Sequence, residues 1–214
     1  MRPRSFTDRE LLDTARACFL EHGPGVSTAH IAEELGVSQA SLFKRFKTKK
    51  ELLVAAMIPT GAPDWVSDVA RGPDARPVRV QLDEMARQID AFFTTMVPCI
   101  AILRAAGFVP EDMKKWGDNP PPVIAHRTIS SWLRTLTEAE RIYVADPDST
   151  ALVLMAGLQT PHMLRHMLGS NAPPTNDNYL DNFVDLIWAG IAPRDPERAR
   201  SESGSGSRMN DDQA

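Results

Sequence analysis

The chain has 214 residues, 43% of them hydrophobic and 24% charged, with a formal net charge of -4. That is an ordinary globular composition with room for one large or two modest domains, and it excludes a disordered or disulfide-stapled chain. The longest uninterrupted apolar run, Ala151 to Leu158, is far too short to cross a bilayer, and no apolar segment of a secretory signal follows the charged start, so a cytoplasmic protein without a membrane partner is expected.

Cys18 and Cys99, the two cysteines, each stand in an apolar stretch and read as buried free thiols. Charge is spread unevenly. Residues 1–57 hold nine Lys and Arg against seven Asp and Glu, whereas the remainder holds 15 against 21. Such asymmetry points to a small anion-binding part on a body that is not one.

Taken in chain order, nearly everything predicts helix. In "FTDRELLDTARACFLEHG", Thr7 with Glu10 three residues on makes a capping box, and Phe6 and Leu11 are spaced for a hydrophobic staple. Leu11, Leu12, Ala15, Cys18 and Phe19 recur at helical spacing until Gly23 and Pro24 end the segment. A short helix is predicted from Ser27 to about Leu35, another over Gln39–Phe46, and a fourth after Thr48 through "KKELLVAAM". "IPTGAP" then breaks the pattern and marks Pro59–Pro63 as a boundary.

Longer helices follow: about Val78–Ala106, bent or split at Pro98, then Val123–Tyr143, Ser149–Leu168 and Tyr179–Ile191. No stretch alternates with a period of two, so no strand is expected. The fold class is all-α, with a three-helix DNA-binding domain at 6–58 (helix-turn-helix motif at 27–46), a helical ligand-binding and dimerisation domain at 64–192, and a disordered tail at 195–214.

The short helices carry the functional signal. Ile31 and Leu35 share one helical face, Leu42 and Phe46 another, and Val37 lies between them, a miniature core for two crossing helices. Small Ala32 allows close approach, and Gly36 can take the positive φ that a tight turn after a helix needs. This is the pattern of a helix-turn-helix. With Leu42 and Phe46 inward, Ala40 and Lys44 project outward, flanked by Ser41 and Phe43, and Gln39 stands in the first turn, where a recognition helix meets base edges. Gln can pair with adenine, Lys or Arg with guanine, and Ala or Ser can pack on a thymine methyl. From Ser38 to Lys50 the chain has five basic residues and no acid. Lys47, Lys49 and Lys50 suit phosphates, beside a helix that starts after Thr48. Most charge runs are only solvated helix ends, but here a Gly turn, paired apolar residues and small outward residues occur together.

At "IAEELGVSQASLFKRFKTKKELL" the chain resembles the TetR family of transcriptional repressors. The resemblance is close over about the first quarter of the chain and beyond it rests on helix number, length and order. It implies a three-helix DNA-binding domain, a connecting fourth helix, and a helical ligand-binding body that dimerises through its last two long helices. The DNA-facing residues it implies, with the reading above, are Ser27, Thr28, Ser38, Gln39, Ala40, Ser41, Phe43, Lys44, Arg45, Lys47 and Lys49. Two departures stand out. Phe43 replaces a tyrosine that usually contacts phosphate, and Ala29 stands where a long polar residue is common.

The rest of the chain is less specific. The 149–168 segment is apolar around much of its circumference, which predicts burial on two sides, whereas Leu180, Phe183, Val184, Ile187, Trp188 and Ile191 form a single stripe. The pair suits a four-helix dimer interface, although completing a monomer core would use the same residues. Phe92, Phe93, Met96, Met113, Trp116, Trp132, Met155 and His162 are candidates for lining an apolar effector pocket, with ordinary core packing the alternative for each. Asp177, Asp181 and Asp185 read as a solvated acidic stripe.

His162 and His166 have the spacing of a metal pair, but Met163 stands where the protease motif needs Glu, and a third ligand such as His126 would have to come from elsewhere. No metal or cofactor is expected. The expected function is a homodimeric, ligand-responsive repressor of double-stranded operator DNA. A helical metal-dependent enzyme and a non-specific architectural DNA-binding protein are the competing classes.

Overall fold

The computed structural model describes residues 6–58, 63–109 and 119–193. Among them are nine α-helices and no strand: α1 Asp8–His22, α2 Thr28–Leu35, α3 Gln39–Phe43, α4 Lys49–Met57, α5 Asp64–Ala70, α6 Val78–Ala105, α7 Pro121–Glu138, α8 Pro147–Leu168 and α9 Tyr179–Ile191. The boundary at Pro59–Pro63, apart from Pro63 itself, and the tail at 195–214 lie outside the described residues, as do Met113 and Trp116.

The helix starts follow the sequence closely. Thr7 caps α1 by accepting from the Glu10 N–H at 3.1 Å, and Glu10 accepts from the Thr7 N–H at 2.7 Å. Phe6 packs on the cluster that contains Leu11, as a staple requires. Ser27, Ser38 and Thr48 cap α2, α3 and α4 in the same way. Gly36 closes α2 at φ 73° and ψ 34°, a left-handed position that costs a side chain but not glycine. The turn satisfies two helix carbonyls, with the Gly36 N–H bonding Glu33 and the Val37 N–H bonding Ala32, both at 2.9 Å.

Two hydrophobic cores result. The first joins α1–α4: Leu11, Phe19, Ile31, Leu35, Leu42, Leu52 and Met57 are buried together, with Val37 and Phe46 packed against them. Cys99 and Leu103 of α6 also belong to this core. The second joins α5–α9 around Ile89, Phe93, Ile129, Leu133, Leu154, Phe183 and Val184. Thus α6 serves both. By length and hydropathy alone it could cross a bilayer, yet here it is the central helix, and its first three turns carry Arg79, Asp83, Glu84 and Arg87. Both cysteines are buried, and burial pushes both thiols above the ordinary range.

Three expectations need correction. The long helix is not split at Pro98: α6 runs unbroken from Val78 to Ala105 with the proline inside it. The lost backbone bond is outweighed because Val97 packs in one core and Cys99 in the other, holding both sides of the proline. The third helix is shorter than Gln39–Phe46, ending at Phe43. The helix expected to reach Tyr143 stops at Glu138: Glu140 takes a positive φ of 55°, and the Tyr143 N–H then bonds the Ile191 carbonyl at 2.7 Å. The short α5, flanked by prolines and buried through Trp65, Val66 and Val69, has too few residues to show a period.

Candidate nucleic-acid interface

The outward face of α3 is open. Leu42 is fully buried and Phe46 packs behind it, so Gln39, Ala40, Phe43 and Lys44 are exposed and Ser41 half-exposed. Arg45 and Lys47 beyond the helix are also exposed, and Lys49 at the start of α4 is half-exposed. The five-residue helix is held from below by its one buried leucine and from its ends by caps. The Ser38 hydroxyl accepts from the Ser41 N–H at 3.2 Å, and the two hydroxyls lie 2.8 Å apart. Ser27 likewise uses its hydroxyl on the His30 N–H at 3.1 Å.

Two side chains stand differently from the sequence expectation. Thr28 is buried rather than presented outward, and its hydroxyl accepts from the Gln39 side-chain amide at 2.7 Å. Gln39 is therefore braced from α2, with its carbonyl oxygen and second N–H left for a base edge. Arg45 is turned back toward the start of α1. Its guanidinium pairs with Asp8, donates to the Phe6 carbonyl at 2.8 Å and lies 4.3 Å from the Phe6 ring centroid. It ties the reading head to α1 and does not add to a free basic face. Glu51, which the sequence reading did not single out, accepts from the Lys47 N–H at 2.9 Å while its own N–H bonds Thr48 at 3.0 Å. One carboxylate thus sits at the start of α4, directly after the lysine cluster. Sequence spacing from Thr48 to Glu51 was the available signal for it.

Chemically, the surface offers a short row of amide, methyl, aromatic edge and ammonium groups, followed by further ammoniums. That is the inventory for entering a major groove and neutralising its rims.

A second feature is an apolar cavity of about 290 Å³ between the two cores. Phe92, Phe93 and Met96 from α6 and Met155 from α8 line it, with Trp65 of α5 and Ile58 at the end of α4. Phe92 meets both Trp65 and Phe93 edge to face, at 6.3 and 5.4 Å between centroids. Leu103 both lines the cavity and belongs to the α1–α4 core.

Two candidates stand away from its walls. Trp132 is buried in the second core and borders two other grooves instead. His162 is paired across α8 and α6 with Asp90 at 2.6 Å and is largely buried there. The Asp181 and Asp185 carboxylates are not merely solvated, since they pair with Arg87 and Arg79 of α6. His126 lies 3.0 Å from the Asp148 carbonyl, and among the described residues no three His, Cys, Asp or Glu side chains gather as metal ligands.

Residues 11–56 match the family model described as bacterial regulatory proteins, tetR family. No curated protein matches the chain in sequence. Among solved structures, a Mesorhizobium loti protein assigned to the TetR-family transcriptional regulators is similar with a TM-score of 0.66 at 21% identity, covering 86% of this chain and 96% of that one. A TetR-family transcriptional regulator from Pseudomonas syringae pv. tomato matches at 0.61 and 20% identity over 88% of this chain and all of its own. The flavonoid-responsive regulator FrrA matches at 0.56 and 19% identity, over 87% and 97% of the two chains. At such identities the likeness establishes the fold.

Proposed function

We propose that this chain, whose residues 11–56 match the tetR-family model and whose fold is that of solved TetR-family regulators, acts as a homodimeric repressor released from its operator by a small molecule. The observation that carries the DNA-binding part is the open face of α3, where Ala40 and Lys44 are exposed and Gln39 is braced by Thr28. Two copies of α3 would enter successive major grooves of a near-palindromic site. The base-facing roles go to Gln39, Ala40, Ser41, Phe43 and Lys44, and the phosphate roles to Lys47 and Lys49. Ser27 and Ser38 shape the head as helix caps, Thr28 braces it from within, and Arg45 anchors it.

The dimer reading draws on α8 and α9. Leu152, Val153 and Met167 of α8 and Leu186 of α9 are exposed, Leu186 at 72%. Only Ala151, Leu154 and Leu158 of α8 are buried in the single chain. One side of a helix that is apolar all round is therefore left for a partner, and a second copy of the same pair of helices would cover it with a two-fold axis. The effector reading draws on the apolar cavity and on its shared wall with the α1–α4 core. FrrA, a protein of the same fold, is flavonoid-responsive, so control by a small molecule is within the reach of this architecture.

The test is selection of bound fragments from random duplex DNA with the full chain, followed by sedimentation of the complex. A two-half-site consensus bound by two chains is the expected result, and Leu186→Glu should leave a monomer that binds it poorly. Recovery of DNA without any consensus would sink the regulator reading in favour of an architectural protein.

A further inference from the structure

The cavity is unequal in charge. Among the described residues its lining is apolar apart from Trp65, Arg104 and Gln159, and none of them is a carboxylate. Trp65 is only 4% exposed, and its indole N–H has no hydrogen-bond partner. An indole can donate but never accept, so this buried donor goes unmet until something with a lone pair arrives. Arg104 stands in the last turn of α6, exposed at the cavity's edge, and makes no ion pair among the described residues. Its position also suits the negative end of the helix dipole, which explains a cation there but not the unmet indole N–H of Trp65, a residue that lines the cavity. The two groups are independent, and both ask for an acceptor.

We propose that the cavity takes an apolar organic anion: an aromatic or alkyl body carrying one carboxylate-like group, with the anion at Arg104 and an acceptor atom at the Trp65 N–H. This rests on the ligand-responsive reading and names its ligand class. The body packs against Phe92, Phe93, Met96 and Met155, whose flat and flexible surfaces accept a ring or a chain. The guanidinium stays charged at every physiological pH and offers a forked donor matched to a carboxylate. A cationic amine of the same shape is repelled by Arg104 and meets no carboxylate among the described lining residues. Selection against cations is therefore built into the wall.

Three probes of one shape decide it: naphthoate, naphthamide and naphthylmethylammonium, titrated calorimetrically into the full chain. Naphthoate should bind about tenfold or more tightly than the amide, and the ammonium should not saturate below about 1 mM. Arg104→Ala should erase the advantage of the carboxylate while leaving the amide unchanged. Trp65→Phe keeps a ring and removes the donor, so it should weaken carboxylate and amide together, with circular dichroism confirming an intact fold.

The proposal is overturned if the ammonium binds as well as the carboxylate, if Arg104→Ala leaves the ranking unchanged, or if none of the three binds. DNA affinity, read separately with each probe, keeps the two readings apart. Arg104-dependent naphthoate binding without any change in DNA affinity leaves the anion site standing and removes the effector role. Release of DNA by the ammonium alone does the reverse.

Discussion

Thr28 offers the sharpest test of how the reading head works, because it is buried and yet is expected to control base preference. Its hydroxyl accepts from the Gln39 amide at 2.7 Å, which fixes one of that amide's two hydrogens and so the direction of the whole side chain. Thr28→Val keeps the shape and removes the acceptor. Because Gln39 is exposed and its amide can turn to water, the fold loses little.

A neutral hydrogen bond of this kind contributes about 0.5–1.5 kcal/mol net, or roughly 2- to 12-fold in an equilibrium constant. If the bond orients Gln39 for one base pair, that factor is lost from discrimination at that pair in each half-site. Affinity for random DNA and its salt dependence stay as they were, since every phosphate partner is unchanged. The assay is fluorescence anisotropy on the selected operator and on variants substituted at single positions, at fixed salt. In the Gln39→Ala background, Thr28→Val should add nothing, because the two changes remove one interaction. A uniform loss on every sequence, or full discrimination retained by Thr28→Val while Gln39→Ala abolishes it, would refute the bracing role.

Three further outcomes are expected. Lys49→Ala should weaken binding to all duplexes alike and lower the slope of log affinity against log salt by about 0.9 for each phosphate it ceases to neutralise, measured by the same anisotropy titration. Gly157→Ala should destabilise the chain although alanine favours helix by about 1 kcal/mol. A Cβ there would stand 2.4 Å from the buried Phe183 ring, and overpacking of that kind costs about 1–3 kcal/mol, so a fall in Tm is expected where Gly25→Ala, which meets nothing within 4 Å, gives a small rise. At the start of α8 the Asp146 carboxyl is held below its usual pKa of 3.8, first by the Ser149 hydroxyl and then by backbone N–H groups. A depressed folded pKa contributes stability that is present above pH 3.8 and lost as pH falls through the folded value. Thermal melts of Asp146→Asn should accordingly show a shallower loss on the acid side than the parent chain.

How much of this was legible beforehand follows from the range of the interactions involved. The capping box of α1, the Gly36 turn and the α9 stripe are local patterns of residues a few positions apart, and each reads directly from the sequence. The orientation of α3 was equally legible, because Leu42 and Phe46 fix the inner face and so place Ala40 and Lys44 outside. Longer-range partners were not. Thr28 faces inward because of a helix that begins 11 residues later, and Arg45 turns to Asp8, 37 residues away. His162 was a reasonable polar pocket residue until Asp90, 72 positions earlier, claimed it. Asp181 and Asp185 looked solvated because Arg87 and Arg79 are about a hundred residues distant in the chain. Trp65 carried no signal at all: its helix is seven residues long, and its unmet N–H exists only in three dimensions.

The same helix that defeats the expectation at Pro98 links the two halves of the proposed mechanism. Near its C-terminal end α6 turns Cys99 and Leu103 into the core beneath the reading head, while Phe92, Phe93, Met96 and Leu103 face the cavity. Cavity and reading head therefore share one rigid element. A well-packed core transmits a displacement of α6 rather than absorbing it. At the other end of that path, Arg16 donates to the Ala56 carbonyl at 2.7 Å and couples α1 to the last turn of α4, whose next residue, Ile58, also lines the cavity. On the proposed function, a molecule that fills the cavity would touch Ile58 after α4 and α6 at once. It changes DNA affinity only by binding one arrangement of them better than the other, and a coupling of about 1–3 kcal/mol is typical of such devices. The reciprocal demand is equally firm: operator DNA must then weaken binding of that molecule by the same factor.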